Sequence, residues 1–224
     1  MRAFCWALAG LGSAVQAAIP LAVEDADLLP LHQCEAELGA ERLRGSGLPK
    51  AAVTDLRAGC TFWSHTQINL AWTRQREADE TDDAASVYGK TRLISRADEG
   101  WGLTLAWELE RARRAEAGRH WRYAGAAAVL SRAWDEERWW LHINAGLGRD
   151  RVTQQNRRFW SAGLEYSPAD SHDWILETYG AQGERPSLGL GLRAYVGEDW
   201  SLGVMWARQR SGPTGLGAWL RWTF

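Results

Sequence analysis

Residues 200–210 read WSLGVMWARQR and residues 214–224 read TGLGAWLRWTF, with Ser211, Gly212 and Pro213 between them. In the first run Trp200, Leu202, Val204 and Trp206 share one face, while Ser201, Gly203, Met205, Ala207 and Gln209 share the other. The second run separates Leu216, Ala218, Leu220, Trp222 and Phe224 from Gly217, Arg221 and Thr223. A period of two belongs to a β-strand, and each run is close to the ~10 residues that a tilted strand needs to cross a bilayer. Tryptophan stands at both ends of the apolar face, where indole rings settle at the two interfaces of a membrane. The stretch therefore predicts two adjacent lipid-facing strands.

Composition agrees with strands rather than helices as the spanning element. The chain has 224 residues, a formal net charge of -2 and 15 tryptophans. No run approaches the ~18 apolar residues that a membrane helix requires. A mean hydropathy of -0.38 is no obstacle, because a transmembrane barrel hides its apolar residues in alternation. The near-neutral charge gives no nucleic-acid footprint. Residues 1–17 carry Arg2, an apolar stretch from Ala3 to Leu11 and small residues ending in Val15-Gln16-Ala17, the layout of a cleavable secretory signal cut after Ala17. Cleavage removes Cys5 and leaves Cys34 and Cys60, an even pair that suggests a disulfide in an exported chain. Residues 18–30 (AIPLAVEDADLLP) are either a periplasmic lead-in or a plug inside the barrel. Residues 31–224 form the barrel.

From Leu31 onward about twelve alternating segments follow one another, with ten as the alternative count. They predict an all-β, antiparallel up-and-down barrel with both termini in the periplasm. Connections after even strands, such as Ser64 and Glu198, are short, whereas Glu77–Ala85 and Arg149–Asn156 read as longer outer loops. Aromatic placement supports that topology. Trp101, Trp139, Trp174 and Trp200 open upward strands, Trp222 and Phe224 close the last downward one, and Trp72, Trp107, Trp121, Trp160 and Trp206 lie toward the outer girdle. Trp140 and Trp219 point inward on this scheme. The segment 121–132, with its AGAAAV run, fits either face. Folding the first hairpin about Gly47 sets Cys34 opposite Cys60 and Glu37 opposite Arg57.

The opposite face collects the chemistry. Glu35, Glu37, Arg57, Lys90, Arg92, Glu108, Glu110, His142, Glu177, Arg193 and Arg221 all fall on it and are expected to line the lumen. Charges at membrane depth require water or an opposite charge, so the inside is either a narrow aqueous path or a salt-bridged core. Twelve strands lie between the ~8 that side chains fill and the 16 to 18 of aqueous porins. An outer-membrane hydrolase is the competing class, but His32, His65, His120, His142 and His172 lie in no local nucleophile motif. Glu77–Asp83 (EADETDD) lacks the spacing of a calcium loop, and no other metal or cofactor pattern is present. Arg111, Arg113, Arg114 and Arg119, with Arg149, Arg151, Arg157 and Arg158, are placed to meet lipopolysaccharide phosphates.

A terminal aromatic on the apolar face resembles the closing strand of bacterial outer-membrane β-barrels. In more detail, VEDADLLPLHQCEAELGAE, RAGCTFWSHTQINLAW, YGKTRLI and GWGLTLAWELE resemble the outer-membrane transporter family of the MetA pathway of phenol degradation, over Val23 to Glu110. The resemblance implies residence in the outer membrane and passage of a small solute that the sequence does not name. It implies as partners the bilayer, lipopolysaccharide and the barrel assembly machinery. The orientation is testable in a chain without Cys34 and Cys60. A cysteine placed in Arg149–Asn156 is expected to react with a membrane-impermeant thiol reagent on intact cells, and one at Ser64 or Glu198 is not; the reverse pattern would overturn it.

Overall fold

The computed structural model describes residues 23–45, 50–78, 80–96, 100–114, 118–151, 153–209 and 212–224. The signal segment, the Gly47 turn and the side chains of Arg113, Arg114, Arg119 and His120 lie outside the described residues. Twelve strands form one closed barrel: β1 (Cys34–Arg44), β2 (Ala51–Trp63), β3 (Thr66–Glu77), β4 (Glu80–Ile94), β5 (Trp101–Arg114), β6 (Gly118–Trp134), β7 (Trp139–Asp150), β8 (Gln155–Ala169), β9 (His172–Ala181), β10 (Ser187–Val196), β11 (Trp200–Gln209) and β12 (Thr214–Thr223). Every strand pairs antiparallel with its sequence neighbours. β12 returns to β1 in an unbroken register from Glu35↔Thr223 to Arg44↔Thr214.

Alternation decides which way each side chain faces. Leu38, Leu56, Leu70, Leu105, Leu147, Leu202 and Leu216 form an exposed outer band. Exposed Trp101, Trp174, Trp200, Trp222 and Phe224 edge it at the rim that carries both ends of the barrel. At that rim Trp139 stacks on Tyr166 and Trp200 on Trp222. Trp72, Trp121, Trp160 and Trp206 edge the band toward the opposite rim. Inside there is no continuous apolar core. Two small clusters, Leu43 with Ala51 and Val53, and Ile175 with Met205 and Trp219, are the apolar packing among the buried residues. Trp219 takes up the space that a Cβ at Gly203 would need, so glycine there lets the ring lie against the wall. Strand β6 turns Ala127, Val129, Ser131 and Ala133 inward, which fixes the facing that its small residues left open.

One expectation fails. Residues 80–85 are not an outer loop, because β3 and β4 continue as a ladder to Glu77↔Glu80, with Ala78 at φ 51°. The apolar alternation that marks a strand is lost where both faces meet water. The ladder persists through backbone pairing and a cross-strand Arg74–Asp83 ion pair at 2.8 Å. Likewise the connection expected at 149–156 shrinks to the turn between Asp150 and Gln155.

The first hairpin has the expected register, with Cys34↔Cys60 and Glu37↔Arg57. Cys34 and Cys60 are joined as a disulfide, their Cα atoms 4.1 Å apart. A bridge across this sequence separation of 26 stabilises by about 3 kcal/mol in the chain-entropy model. Replacing both cysteines by serine is therefore expected to lower the unfolding free energy by that order in urea titrations of the detergent-folded barrel while leaving it closed.

Candidate functional site

The lumen is not empty, because the segment ahead of β1 runs inside it. Val23 and Ala26 are buried, and Val23 packs over Gly163 of β8. The barrel wall holds the backbone of this segment directly. The Ala26 amide donates to Ser131 Oγ at 2.7 Å, Thr104 Oγ1 donates to the Ala26 carbonyl at 2.5 Å, and the Leu29 amide donates to Gln67 Oε1 at 3.1 Å. These donors and acceptors come from β6, β5 and β3, so the plug's backbone is stitched along one side of the wall. The described part of residues 18–30 lies against inward-facing side chains of β3, β4, β5 and β6 and against Gly163 of β8.

Charge adds to the stitching. Lys90 Nζ reaches Asp25 Oδ1 at 3.1 Å and Glu24 Oε2 at 3.9 Å, and Arg96 Nε lies 3.7 Å from Asp27 Oδ2. Asp25 keeps 49 % of its side chain exposed toward the lumen, yet the wall encloses it on all sides. Enclosure pushes its carboxyl up, but the Lys90 ammonium, with His142 and Arg221 further off, outweighs this and holds it down to about 2. Burial and the neighbouring Asp25 push Asp27 the other way, above the usual carboxylate range, against the pull of Arg96. Acid thus weakens the Asp25 contact as pH falls below the ordinary carboxylate range, while proton uptake at Asp27 favours the docked segment.

Below the plug, at the rim of the termini, the inward charges form a network. Glu37 Oε2 takes Arg221 at 2.9 and 3.0 Å, and its Oε1 lies 3.9 Å from Arg57. The closer partner of Arg57 is Asp55, at 2.7 Å. The expected Glu37–Arg57 pair is therefore the weaker half of a shared arrangement, because β1 has two neighbours and β12 supplies the better placed cation. Arg193 bridges Glu165 and Asp173, and Tyr195 and Ser167 donate to Asp173 at 2.6 and 2.7 Å. Ser131 Oγ lies 2.8 Å from His142 Nδ1, whose Nε2 lies 3.6 Å from Glu165 Oε1. This serine–histidine–carboxylate file spans β6, β7 and β8, so no local motif announces it. Its serine is fully buried and already accepts the plug's Ala26 amide, which leaves no approach for a substrate.

Two cavities lie end to end along the lumen. One, of about 290 Å³, occupies the half toward the β3–β4 and β7–β8 turns; the other, of about 360 Å³, lies around the plug and the terminal-rim network. Glu24, Arg57, Tyr88 and Lys90 line both, and so mark the constriction between them. Of the residues read from alternation, Glu35, Glu37, Arg57, Lys90, His142, Arg193 and Arg221 surround the terminal-rim cavity, and Glu108 lines the other. Glu110 and Glu177 are buried in the wall, and Glu110 lies 3.5 Å from Arg122. Arg92 instead bends to the rim and donates to the Ser64 carbonyl at 2.6 Å. Among the described residues no group of three or more His, Cys, Asp or Glu side chains is placed to hold a metal ion. Alternation missed the plug contacts Glu24, Asp25 and Asp27, since a segment without period two carries no facing signal.

The described residues share their fold with solved outer-membrane barrels. The KdgM porin in complex with disordered oligogalacturonate superposes with a TM-score of 0.66 at 9% identity, over 85% of this chain and 99% of that one. The NanC porin gives 0.62 at 11% identity, over 84% and 98%. The COG4313 outer membrane channel from Pseudomonas putida F1 gives 0.59 at 13% identity, over 89% and 98%. Identities this low establish the fold alone. No curated protein matches the sequence. The family model described as uncharacterised conserved protein UCP029691 matches residues 6–221, nearly the whole chain, and this match does not confirm the resemblance to the phenol-degradation transporter family.

The network predicts a hierarchy of stabilities. Glu37→Gln removes the carboxylate that Arg221 and Arg57 share at a buried position, which is expected to cost about 3 kcal/mol. Asp83→Asn breaks the solvent-exposed Arg74 pair, which water and salt screen, and is expected to cost far less. Urea titration of both variants, folded in detergent, measures the difference.

Proposed function

This chain belongs to the UCP029691 family, and from that premise and the lumen geometry we propose that it is an outer-membrane channel for small solutes, closed at its periplasmic mouth by its own residues 23–30. The observation that carries the proposal is the pair of cavities meeting at Glu24, Arg57, Tyr88 and Lys90. A barrel built only as a membrane anchor has no need of two solvent-sized spaces along one axis, divided by a segment held largely through hydrogen bonds and ion pairs. Mixed charge at the constriction suits selective passage, since rings of charge set which ions enter a pore.

The outer surface supports the membrane assignment. An apolar band edged by aromatic rings on both sides is what a bilayer-spanning barrel presents to lipid. In this reading Trp101, Trp139, Trp174, Trp200, Trp222 and Phe224 mark the periplasmic interface. The outward arginines near the opposite rim face lipopolysaccharide, whereas Arg157 turns into the lumen and pairs with Glu184, and the barrel assembly machinery inserts the exported chain. The likeness to porins and the resemblance of Val23–Glu110 to a transporter family both favour transport over catalysis. The outer membrane phospholipase A from Escherichia coli shares the fold at a TM-score of 0.54, but here the Ser131–His142 file is sealed beneath the plug, and Ser171 and His172, 3.1 Å apart, stand in the exposed turn before β9, where the neighbouring Asp173 is held by Arg193. A second reading, a plugged structural barrel, is favoured by the ion-pair network itself, which stabilises strands whether or not anything passes.

Planar-bilayer recording separates the two. The mature protein is expected to show low conductance. A full-length variant carrying Glu24→Gln, Asp25→Asn and Asp27→Asn, which loses the charges facing Lys90 and Arg96, is expected to open frequently to a discrete, larger level. A variant lacking residues 18–30 that folds by heat-modifiable gel mobility yet stays silent would refute the channel and leave the structural reading.

A further inference from the structure

The seam that closes the barrel carries three arginines on its outer surface, at the rim opposite the termini. Arg42 and Arg44 on β1 and Arg208 on β11 are exposed, and alternation turns them outward with Leu216 and Trp206. Register brings them together. Thr214 of β12 pairs with Arg44 on one side and Arg208 on the other, while Leu216, two residues along the same strand, pairs with Arg42 and Trp206. Neighbouring strands lie about 4.8 Å apart, so Arg44 and Arg208 start about 10 Å from each other across Thr214, with Arg42 about 7 Å along β1 from Arg44. Three guanidinium groups on flexible arms thus meet over the one strand between them.

No acid answers them. Among the described residues none of Arg42, Arg44 and Arg208 has a carboxylate partner, whereas Arg74, toward the same rim on β3, holds Asp83 at 2.8 Å. On the two flanks the register neighbours are Ala52, beside Arg42, and Leu188, beside Arg208. The sequences of the two connections at this corner deepen the imbalance: GSGLPK (45–50) and RSGP (210–213) add Lys50 and Arg210 and hold no Asp or Glu. Leu190, Trp206 and Leu216 continue the row of Arg42 across β10, β11 and β12, and all three are exposed. Positive charge at the rim and an apolar wall beside it, on adjacent strands, complement an amphiphile with an anionic head. Arg111 on β5 and Arg158 on β8 are exposed as well, but they stand three strands apart, and their register neighbours are Ala85 and Trp121 for the one and Leu147 for the other.

We propose that Arg42, Arg44 and Arg208, around Thr214, form a localised site for the phosphorylated head of one membrane glycolipid, the lipid A part of lipopolysaccharide, whose acyl chains lie on Leu216 and Trp206. Guanidinium groups take phosphate oxygens in bidentate pairs, and the Thr214 hydroxyl donates one more hydrogen bond. The bound head spans β11, β12 and β1, so it bridges the first and last strands from outside, and by mass action a ligand held only by the closed ring stabilises the closed ring. The site rests on the outer rim facing lipopolysaccharide, as proposed above, and does not require the barrel to conduct. It is a single clamp at the seam, distinct from a diffuse basic belt around the whole rim.

The test titrates three probes into the full mature protein folded in non-ionic detergent: bisphosphorylated lipid A, the same lipid stripped of its phosphates, and inorganic pyrophosphate. The urea midpoint of unfolding and the lipid retained in native mass spectra are read together. Lipid A is expected to raise the midpoint saturably with a single lipid retained, and the other two probes at the same concentration are expected to leave it unmoved. Replacing Arg42, Arg44 and Arg208 together by glutamine is expected to weaken the lipid A effect at least about tenfold. The lipid-free midpoint of that variant stays at the parent value, because the three side chains are exposed and hold no carboxylate. Thr214→Asp, which sets a carboxylate amid the three arginines, is expected to abolish the effect with every cation still present. Arg111→Gln combined with Arg158→Gln is expected to preserve it. Undiminished binding in both the triple variant and Thr214→Asp overturns the site, and equal loss in the Arg111 and Arg158 variant overturns it while sparing the general lipopolysaccharide-facing rim. A parent protein that ignores lipid A overturns both, and a midpoint raised equally by pyrophosphate overturns the lipid assignment.

Discussion

The hydrogen-bonded seam between β1 and β12 is the contact on which the rest of the molecule depends. Closing the sheet gives every strand two partners, so no edge is left with unpaired amides and carbonyls. Once the ring is closed, the outward half of each strand must suit one medium and the inward half another, and strict alternation follows. That is why the chain reaches so low a mean hydropathy while carrying a continuous apolar band. It is also why its interior is held by polar contacts rather than by a packed apolar core.

A closed ring of this size creates a second requirement. Inward carboxylates and guanidinium groups have lost most of their water and need partners of opposite sign within a few ångströms. Neighbouring strands supply many of them, as Asp55 does for Arg57 and Asp173 for Arg193. Lys90 is met instead from the plug, by Asp25, and Arg96 is shared between Asp27 of the plug at 3.7 Å and Glu137 of the β6–β7 turn at 2.8 Å. The acidic run EDAD is thus the counter-charge for cations that the wall leaves only partly matched. The plug and the barrel form one electrostatic unit, although only the barrel has regular structure.

Much of this was legible in the sequence, because period two is a local signal and closure makes it nearly invariant. The twelve strands, the inward facing of Trp140 and Trp219, and the Cys34–Cys60 register all follow from alternation and turn position. The outer extension of β3 and β4 did not, since in water on both sides the pattern that marks a strand disappears while the ladder remains. Which cation Glu37 prefers was equally out of reach. Alternation assigns a side to each residue but does not rank Arg57 on β2 against Arg221 on β12, and that choice is made by geometry around the ring. The plug illustrates the same limit, for its position is set by Ser131, Thr104 and Gln67 on three different strands. Nothing in residues 18–30 encodes those three sites.

On the channel reading proposed above, the short span between Pro30 and the disulfide-bonded Cys34 makes residues 23–30 a tethered blocker. A segment fixed at one end to the wall it closes rebinds at an effective concentration set by its leash, on the order of millimolar for short links, and dilution of the protein does not change it. Its blocking equilibrium is then a property of a single molecule, the same in a sparse membrane and a crowded one. Because the leash begins at the cross-linked first hairpin, excursions start from one fixed point on the rim. On that reading a departing segment stays beside the mouth it has just vacated, ready to compete with the next solute to arrive.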